Sequence, residues 1–215
     1  MKQALFCLIL LMLTLCSSAS KAHAQKLTIG FVSVGEVTDE HFQIAEDAIL
    51  DFYQAKVKLS SYNIAYDTGM VARKTWGDEK IEMTQLDAKA VNAKLSELKN
   101  KKYDLIIGLT DSALTIGKRY TGKMIIRGLA DRDKHVATVS TYKLKQESAN
   151  EQEFRKNLTK VVRHEVAHVL GLSHCEDSEQ CLMLNGFKFE DTIPEFCPVC
   201  LEKIDKRYLK QKDLH

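Results

Sequence analysis

The segment His164–His174, HEVAHVLGLSH, puts three histidines, a glutamate and a glycine inside eleven residues. His164 and His168 are four apart, so on a helix their rings leave one face, one turn from each other. Two neutral imidazole nitrogens placed this way can hold one zinc ion at ~2.0–2.1 Å. Glu165 lies about 100° round the helix from His164, outside the ligand pair but within reach of a water on the metal. Gly171 can take the left-handed conformation that ends a helix and turns the chain, which lets His174 return as a third ligand. Three protein ligands leave a fourth position for water, which separates a catalytic zinc from a closed structural one. HExxH alone arises by chance on amphipathic helices, but Gly171 and His174 at this spacing make chance a poor explanation. His41, His135 and His215 show no such grouping and read as ordinary surface or core residues.

Four cysteines follow at once. Cys175, Cys181, Cys197 and Cys200 lie within 26 residues, and none occurs between Gln25 and His174. A disulfide framework usually spreads over a fold, whereas a local cluster reads as one site. Cys197-Pro198-Val199-Cys200 has zinc-knuckle spacing, and four thiolates at ~2.3 Å would close a structural site. Two disulfides are the competing reading, because export into an oxidising compartment would permit them.

The pattern HExxHxxGxxH followed by a methionine resembles that of the metzincin metallopeptidases. The continuation resembles the archaemetzincins in particular, through His174-Cys175, Cys181-Leu182-Met183 and Cys197-Pro198-Val199-Cys200. IIGLTD (106–111), RGLA (127–130) and VATVSTYKL (136–144) carry the likeness upstream, so it covers nearly all of the chain after Ala24. The resemblance implies His164, His168 and His174 as catalytic zinc ligands and Glu165 as general base. It implies Met183 as the Met-turn residue, a soft apolar floor beneath the site. It also favours zinc for Cys175, Cys181, Cys197 and Cys200, giving two ions per chain, one catalytic and one structural. In metzincins the substrate lies extended along the upper edge strand, which here resembles Lys123–Leu129, where backbone groups can pair with a peptide.

The elements that must position these residues are legible from periodicity. KLTIGFVSV (26–34) reads as a buried strand and residues 36–55 as a helix capped by Thr38 or Asp39. Strands are expected at 57–66, 103–109, 123–129 and 136–144, the last two separated by a charged turn at 130–135. A helix is expected at 84–99, and a long helix from Asn150 to Gly171 carries the histidines. The order gives an α/β fold with a mixed sheet, and the resemblance implies a metzincin-like, twisted form of it with a small C-terminal subdomain after Gly171. Asn157-Leu158-Thr159 has the form of a glycosylation sequon but falls inside the long helix and reads as chance. Trp76-Gly77-Asp78 reads as an anchor in a polar connector, and KRYTGK (118–123) as a solvated basic turn.

Residues 1–24 read as a secretory signal peptide, with an apolar run from Ala4 to Leu13 and a cleavage site at Ala22-His23-Ala24. The run is too short to span a membrane, which takes ~20 residues, and the bulky Leu15 argues against lipid attachment at Cys16. Lys2 and Lys21 leave with the leader, so the remaining chain carries 29 basic and 29 acidic side chains. That balance points to no nucleic-acid partner and no anionic membrane. Residues 25–215 are expected to form a single metallopeptidase domain and a monomer. The reading is a secreted or periplasmic zinc peptidase in which a zinc-activated water attacks a peptide bond and Glu165 takes its proton. The alternative is a non-catalytic, zinc-stabilised secreted binding protein, against which the intact Glu165 argues.

Overall fold

Residues 26–65, 71–72, 85–98, 102–116, 125–186 and 194–210 are described by a computed structural model of the chain. The expected leader, Trp76-Gly77-Asp78, the basic turn at 118–123 and His215 lie outside these residues. In chain order the elements are β1 (Leu27–Val34), α1 (Asp39–Phe52), β2 (Ala55–Ile64), β3 (Val71–Ala72), β4 (Gln85–Asp87) and α2 (Ala88–Leu98). There follow β5 (Leu105–Thr110), β6 (Ala113–Thr115), β7 (Ile125–Ile126), β8 (Gly128–Asp131) and β9 (Val136–Ser140). Helices α3 (Thr141–Glu147), α4 (Glu151–Val169) and α5 (Pro198–Lys203) complete the order, with a 3-10 turn at Lys206–Tyr208.

The main sheet has the order β2-β1-β5-β9-β8. Strands β2, β1, β5 and β9 are parallel, and β8 closes one edge antiparallel to β9. Parallel strands buried on both faces carry near-continuous apolar sequence, and β5, LIIGLT, is buried at every position. Leu105, Ile107 and Leu109 point into a core shared with α1 and α4, whereas Ile106 points into a second core against α2. The segment after Gly171 joins the first core through Leu182, Met183, Phe196, Cys200, Ile204 and Leu209.

The structure corrects the sequence expectations in three places. Residues 85–87, expected as the start of a helix, form β4 because they pair with the distant Ala113–Thr115. Residues 141–144, expected as strand, begin α3, whose first turn is capped by the Ser140 hydroxyl accepting from the Tyr142 N–H. The strand expected at 123–129 is divided. Ile125–Ile126 pairs with β6 in a separate sheet of order β3-β4-β6-β7, and the edge strand of the main sheet is Gly128–Asp131.

One buried contact fixes that edge. Asn92 of α2 donates from Nδ2 to the Leu129 carbonyl (3.0 Å) and accepts from the Thr138 hydroxyl (2.6 Å). Its side chain therefore ties β8, β9 and α2 at a point without solvent. Asn92→Ala strands the Thr138 donor, so it is expected to cost about 1–3 kcal/mol. Urea unfolding should show the midpoint falling with an unchanged slope.

Candidate active site

The histidines ride on α4, a helix whose start and anchorage are both defined. The Asn150 side chain accepts from the Glu153 N–H (2.9 Å), and the Glu153 carboxylate accepts from the Ala149 N–H (2.7 Å). This is the reciprocal logic of a capping box. In its second half the helix is pinned to α1. Tyr53, fully buried, donates its hydroxyl to the Arg163 carbonyl (2.7 Å), and Arg163 Nε donates to the Ala48 carbonyl (2.9 Å). The Arg163 guanidinium also lies over the Phe52 ring, 4.7 Å from its centroid. His164 is thus the neighbour of a residue held through both its carbonyl and its side chain.

The helix ends as its sequence requires. Gly171 has φ +106°, a conformation that suits glycine. Its N–H donates to the His168 carbonyl, and the Leu172 N–H donates to the Ala167 carbonyl, each at 3.0 Å. That pair is a Schellman termination, and it reverses the chain so that His174 reaches the other two histidines. Ring centroids lie 4.5 Å apart for His164–His168, 4.7 Å for His168–His174 and 5.4 Å for His164–His174. One ring nitrogen from each falls within 4.8 Å of the other two.

Two backbone carbonyls decide which nitrogen is offered. His164 Nδ1 donates to Leu182 O (2.8 Å), and His168 Nδ1 donates to Leu172 O (2.7 Å). With Nδ1 protonated in each ring, Nε2 carries the lone pair that a metal ion can take, the arrangement metal-ligating histidines use. Burial, followed by the neighbouring His168, pushes the His164 imidazole down to about 3 against the pull of the Leu182 carbonyl. Burial likewise holds His168 below its usual range. Both rings are therefore neutral near pH 7, as a ligand must be. The residues fit a zinc ion by donor type, protonation and convergence.

Glu165 is buried beside them and lines the same cleft, about 420 Å³ in volume, as His168, His174 and strand β8. Burial pushes its carboxyl up to about 8, partly opposed by a hydrogen bond from the Ala130 backbone N–H. A cation on the histidines would draw that carboxyl back toward its ionised form. A larger hollow of about 730 Å³ lies at the start of β1 and β5, but it contains neither Glu165 nor a histidine of the cluster. We place the chemistry in the smaller cleft, because there Glu165 meets two histidines of the cluster.

The cysteines gather below. Their four sulfurs lie within 4.8 Å of one another, with Cys175–Cys197 and Cys181–Cys200 each at 3.6 Å. A disulfide needs ~2.05 Å, whereas a tetrahedron of ~2.3 Å zinc–sulfur bonds has edges close to the observed spacing. No two of the four sulfurs are joined in a disulfide in this structure. Burial raises the Cys181 and Cys200 thiols, whereas at Cys197 hydrogen bonds from the Cys200 N–H and neighbouring thiols outweigh burial and lower it. Between the two clusters runs Leu182-Met183. The Cys175 N–H donates to the Met183 carbonyl (2.8 Å), and the Met183 side chain is fully buried.

The seven expected metal ligands are therefore brought together in two clusters, with Glu165 and Met183 beside them. His41 is a core residue bonded to Asp111 (2.9 Å), and His135 is an exposed turn residue with φ 54°. Asn157 of the sequon is buried in α4, its Nδ2 donating to the Ser148 hydroxyl. Sequence reasoning missed the carbonyls of Leu182 and Leu172 and the N–H of Ala130, since backbone groups leave no trace in residue type. It also passed over Gly128, whose signal was a glycine inside a strand.

Comparison with known proteins decides the family. Residues 29–206 match the family model for Peptidase family M54. This chain belongs to that family. It is 34% identical over 170 residues to an archaemetzincin of Saccharolobus solfataricus, covering 72% of this chain and 86% of the relative. With an archaemetzincin of Aeropyrum pernix it shares 33% over 136 residues, 59% of this chain and 69% of the other. The crystal structure of the Methanopyrus kandleri archaemetzincin superposes with a TM-score of 0.67 at 21% identity, covering 87% of this chain and 98% of that one. A zinc-dependent peptidase of Methanocorpusculum labreanum superposes at 0.59 with 20% identity, covering 82% and 100%, so these solved structures share the mixed α/β fold. The protein is a zinc metallopeptidase of the archaemetzincin family, acting on peptide substrates.

A pH dependence follows from Glu165. Its native carboxyl titrates above the ordinary 4.5, near 8, so the metal-free native state keeps its proton longer than the unfolded chain. The stability Glu165 contributes is then full below about 4.5 and lost as pH rises to about 8. Compared with Glu165→Gln, the metal-free wild type should lose stability steadily as pH rises through that window. Chemical denaturation of both proteins at a series of pH values checks this.

Proposed function

We propose that the protein is an exported peptidase that uses Glu165 as general base at a zinc held by His164, His168 and His174. The observation that carries the reading is the placement of Glu165, buried one residue from His164 and facing the same cleft as His168 and His174. Bound on the three imidazoles, zinc supplies Lewis acidity that acidifies a water toward ~7 and polarises the scissile carbonyl. Glu165 accepts the proton of the attacking water and returns it to the leaving amine. The Ala130 N–H holds the carboxylate against the strand, and the Leu182 and Leu172 carbonyls hold the rings. Met183 forms the apolar floor, in a metzincin-like arrangement whose small C-terminal subdomain begins after Gly171. The substrate lies extended along β8, whose outer edge has no strand beside it among the described residues.

The same reading includes a second zinc on Cys175, Cys181, Cys197 and Cys200, supported by the sulfur spacing of 3.6 Å. It also includes removal of residues 1–24, location outside the cytoplasm, a monomeric state and no nucleic-acid or membrane partner. Among the described residues no helix is long and apolar enough to cross a membrane. A binding protein would have no use for a buried carboxylate aimed into the cleft.

Glu165→Ala is expected to keep zinc and fold and to lose nearly all hydrolysis of a peptide library; turnover equal to wild type would refute the base. Metal analysis of the purified protein is expected to give two zinc ions per chain. Thiol titration after denaturation with a chelator and no reductant is expected to give four free thiols. One zinc and no free thiol would replace the second metal site with disulfides and leave the histidine site standing.

A further inference from the structure

Strand β8 presents its residues alternately to the two faces of the sheet. Gly128 pairs with Val139 and Ala130 with Ala137, both of which lie in the core against α4, whereas Leu129 faces α2. The two positions opposite Glu165 thus carry the smallest side chains. Gly128 is not among the glycines with positive φ, so its backbone is one that any residue adopts. Its need for glycine must come from space. A Cβ built on Gly128 would stand 2.6 Å from Glu165 Oε1, 2.7 Å from Cγ and 2.8 Å from Cδ. All three are distances that real carbon atoms do not tolerate. The atoms in the way are all of one side chain, and no backbone atom is among these nearest neighbours.

We infer that Gly128 is a positioning residue for Glu165: the missing side chain at 128 is the space in which the carboxylate lies against the edge strand. Ladder geometry gives this space its purpose. The Ser140 N–H donates to the Arg127 carbonyl (2.8 Å), so Arg127 and Ser140 form a hydrogen-bonded pair. By antiparallel alternation the backbone groups of Gly128 and Ala130 then point away from β9, toward the free edge. The Ala130 N–H donates to the Glu165 carboxylate from that side. A methyl group at 128 leaves the strand's pairing with β9 untouched, because it would project toward α4. Its cheapest relief is rotation of the flexible glutamate side chain away from Ala130. Gly128 therefore controls where the proton acceptor sits and not whether the zinc or the peptide binds. The inference rests on the proposed role of Glu165 as base, and the test separates the two.

Gly128→Ala and Glu165→Ala are made singly and together and compared with wild type for zinc content, kcat and KM. Gly128→Ala is expected to keep its zinc and its KM within about threefold while kcat falls about 100-fold, the loss that ~1 Å of misplacement brings. In the Glu165→Ala background the same glycine change is expected to alter residual kcat by less than threefold, because the obstructed side chain is gone. A kcat within threefold of wild type for Gly128→Ala, with Glu165→Ala inactive, overturns the positioning role alone. Equal loss of kcat in both backgrounds, or a rise in KM in step with the fall in kcat, also overturns it by showing a displaced strand. Full activity of Glu165→Ala refutes the base instead. If Gly128→Ala folds only in the Glu165→Ala background, the collision with Glu165 is demonstrated directly; failure in both backgrounds contradicts it.

Discussion

Two hydrogen bonds from imidazole N–H groups to main-chain carbonyls organise this molecule. Without Leu182 O and Leu172 O, the rings of His164 and His168 would be free to choose either tautomer and to rotate out of register. Each carbonyl is supplied by a different device. Leu172 is delivered by the turn at Gly171, so one glycine both brings His174 back and orients His168. Leu182 is delivered by the segment between Cys181 and Met183, which is tied down by its Glu195 and Cys175 backbone partners and by the cysteine cluster. The catalytic geometry thus depends on chain that lies well beyond the helix. This gives the cysteine site a reason to exist next to the histidine site.

The same burial that orders these groups sets their electrostatics in opposition. It depresses His164 and His168 toward neutrality and raises Glu165 toward protonation. For the imidazoles the direction suits metal binding, since a proton and a metal compete for one nitrogen. For Glu165 it does not suit base catalysis, which needs the carboxylate. A divalent cation held by the three histidines would offset that disadvantage by Coulomb attraction in a site of low dielectric. In the metal-free protein burial therefore keeps the Glu165 carboxyl protonated, and in the proposed zinc-loaded site it would be released to act as the base. Residues that hold function in tension with stability in this way are expected at active sites.

Much of the site was readable from residue type and spacing because a helix converts sequence intervals into directions. His164, His168, Gly171 and His174 needed only the helical repeat and the special backbone of glycine. The strands β1 and β5 were readable because burial on both faces leaves an unbroken apolar run. What escaped was non-local. Gln85–Asp87 became strand because of a partner some thirty residues away, and Ile125–Ile126 separated from Gly128–Asp131 because each found a different sheet. The clearance at Gly128 escaped for a related reason, since its neighbour Glu165 is 37 residues distant in sequence. A glycine inside a strand signals a close approach but not what approaches.

The most direct test of this account is the tautomeric state of the histidines before metal is bound. In metal-free protein labelled with nitrogen-15 in the histidine rings, two-bond proton–nitrogen correlation spectra at neutral pH distinguish the two neutral forms. Substitution of each histidine in turn assigns the signals. Rings held by Leu182 and Leu172 should both be protonated at Nδ1 and bare at Nε2, with slow exchange of the Nδ1 proton. Rings protonated at Nε2, or averaging between the two forms, would show that the chain does not present these nitrogens to the metal.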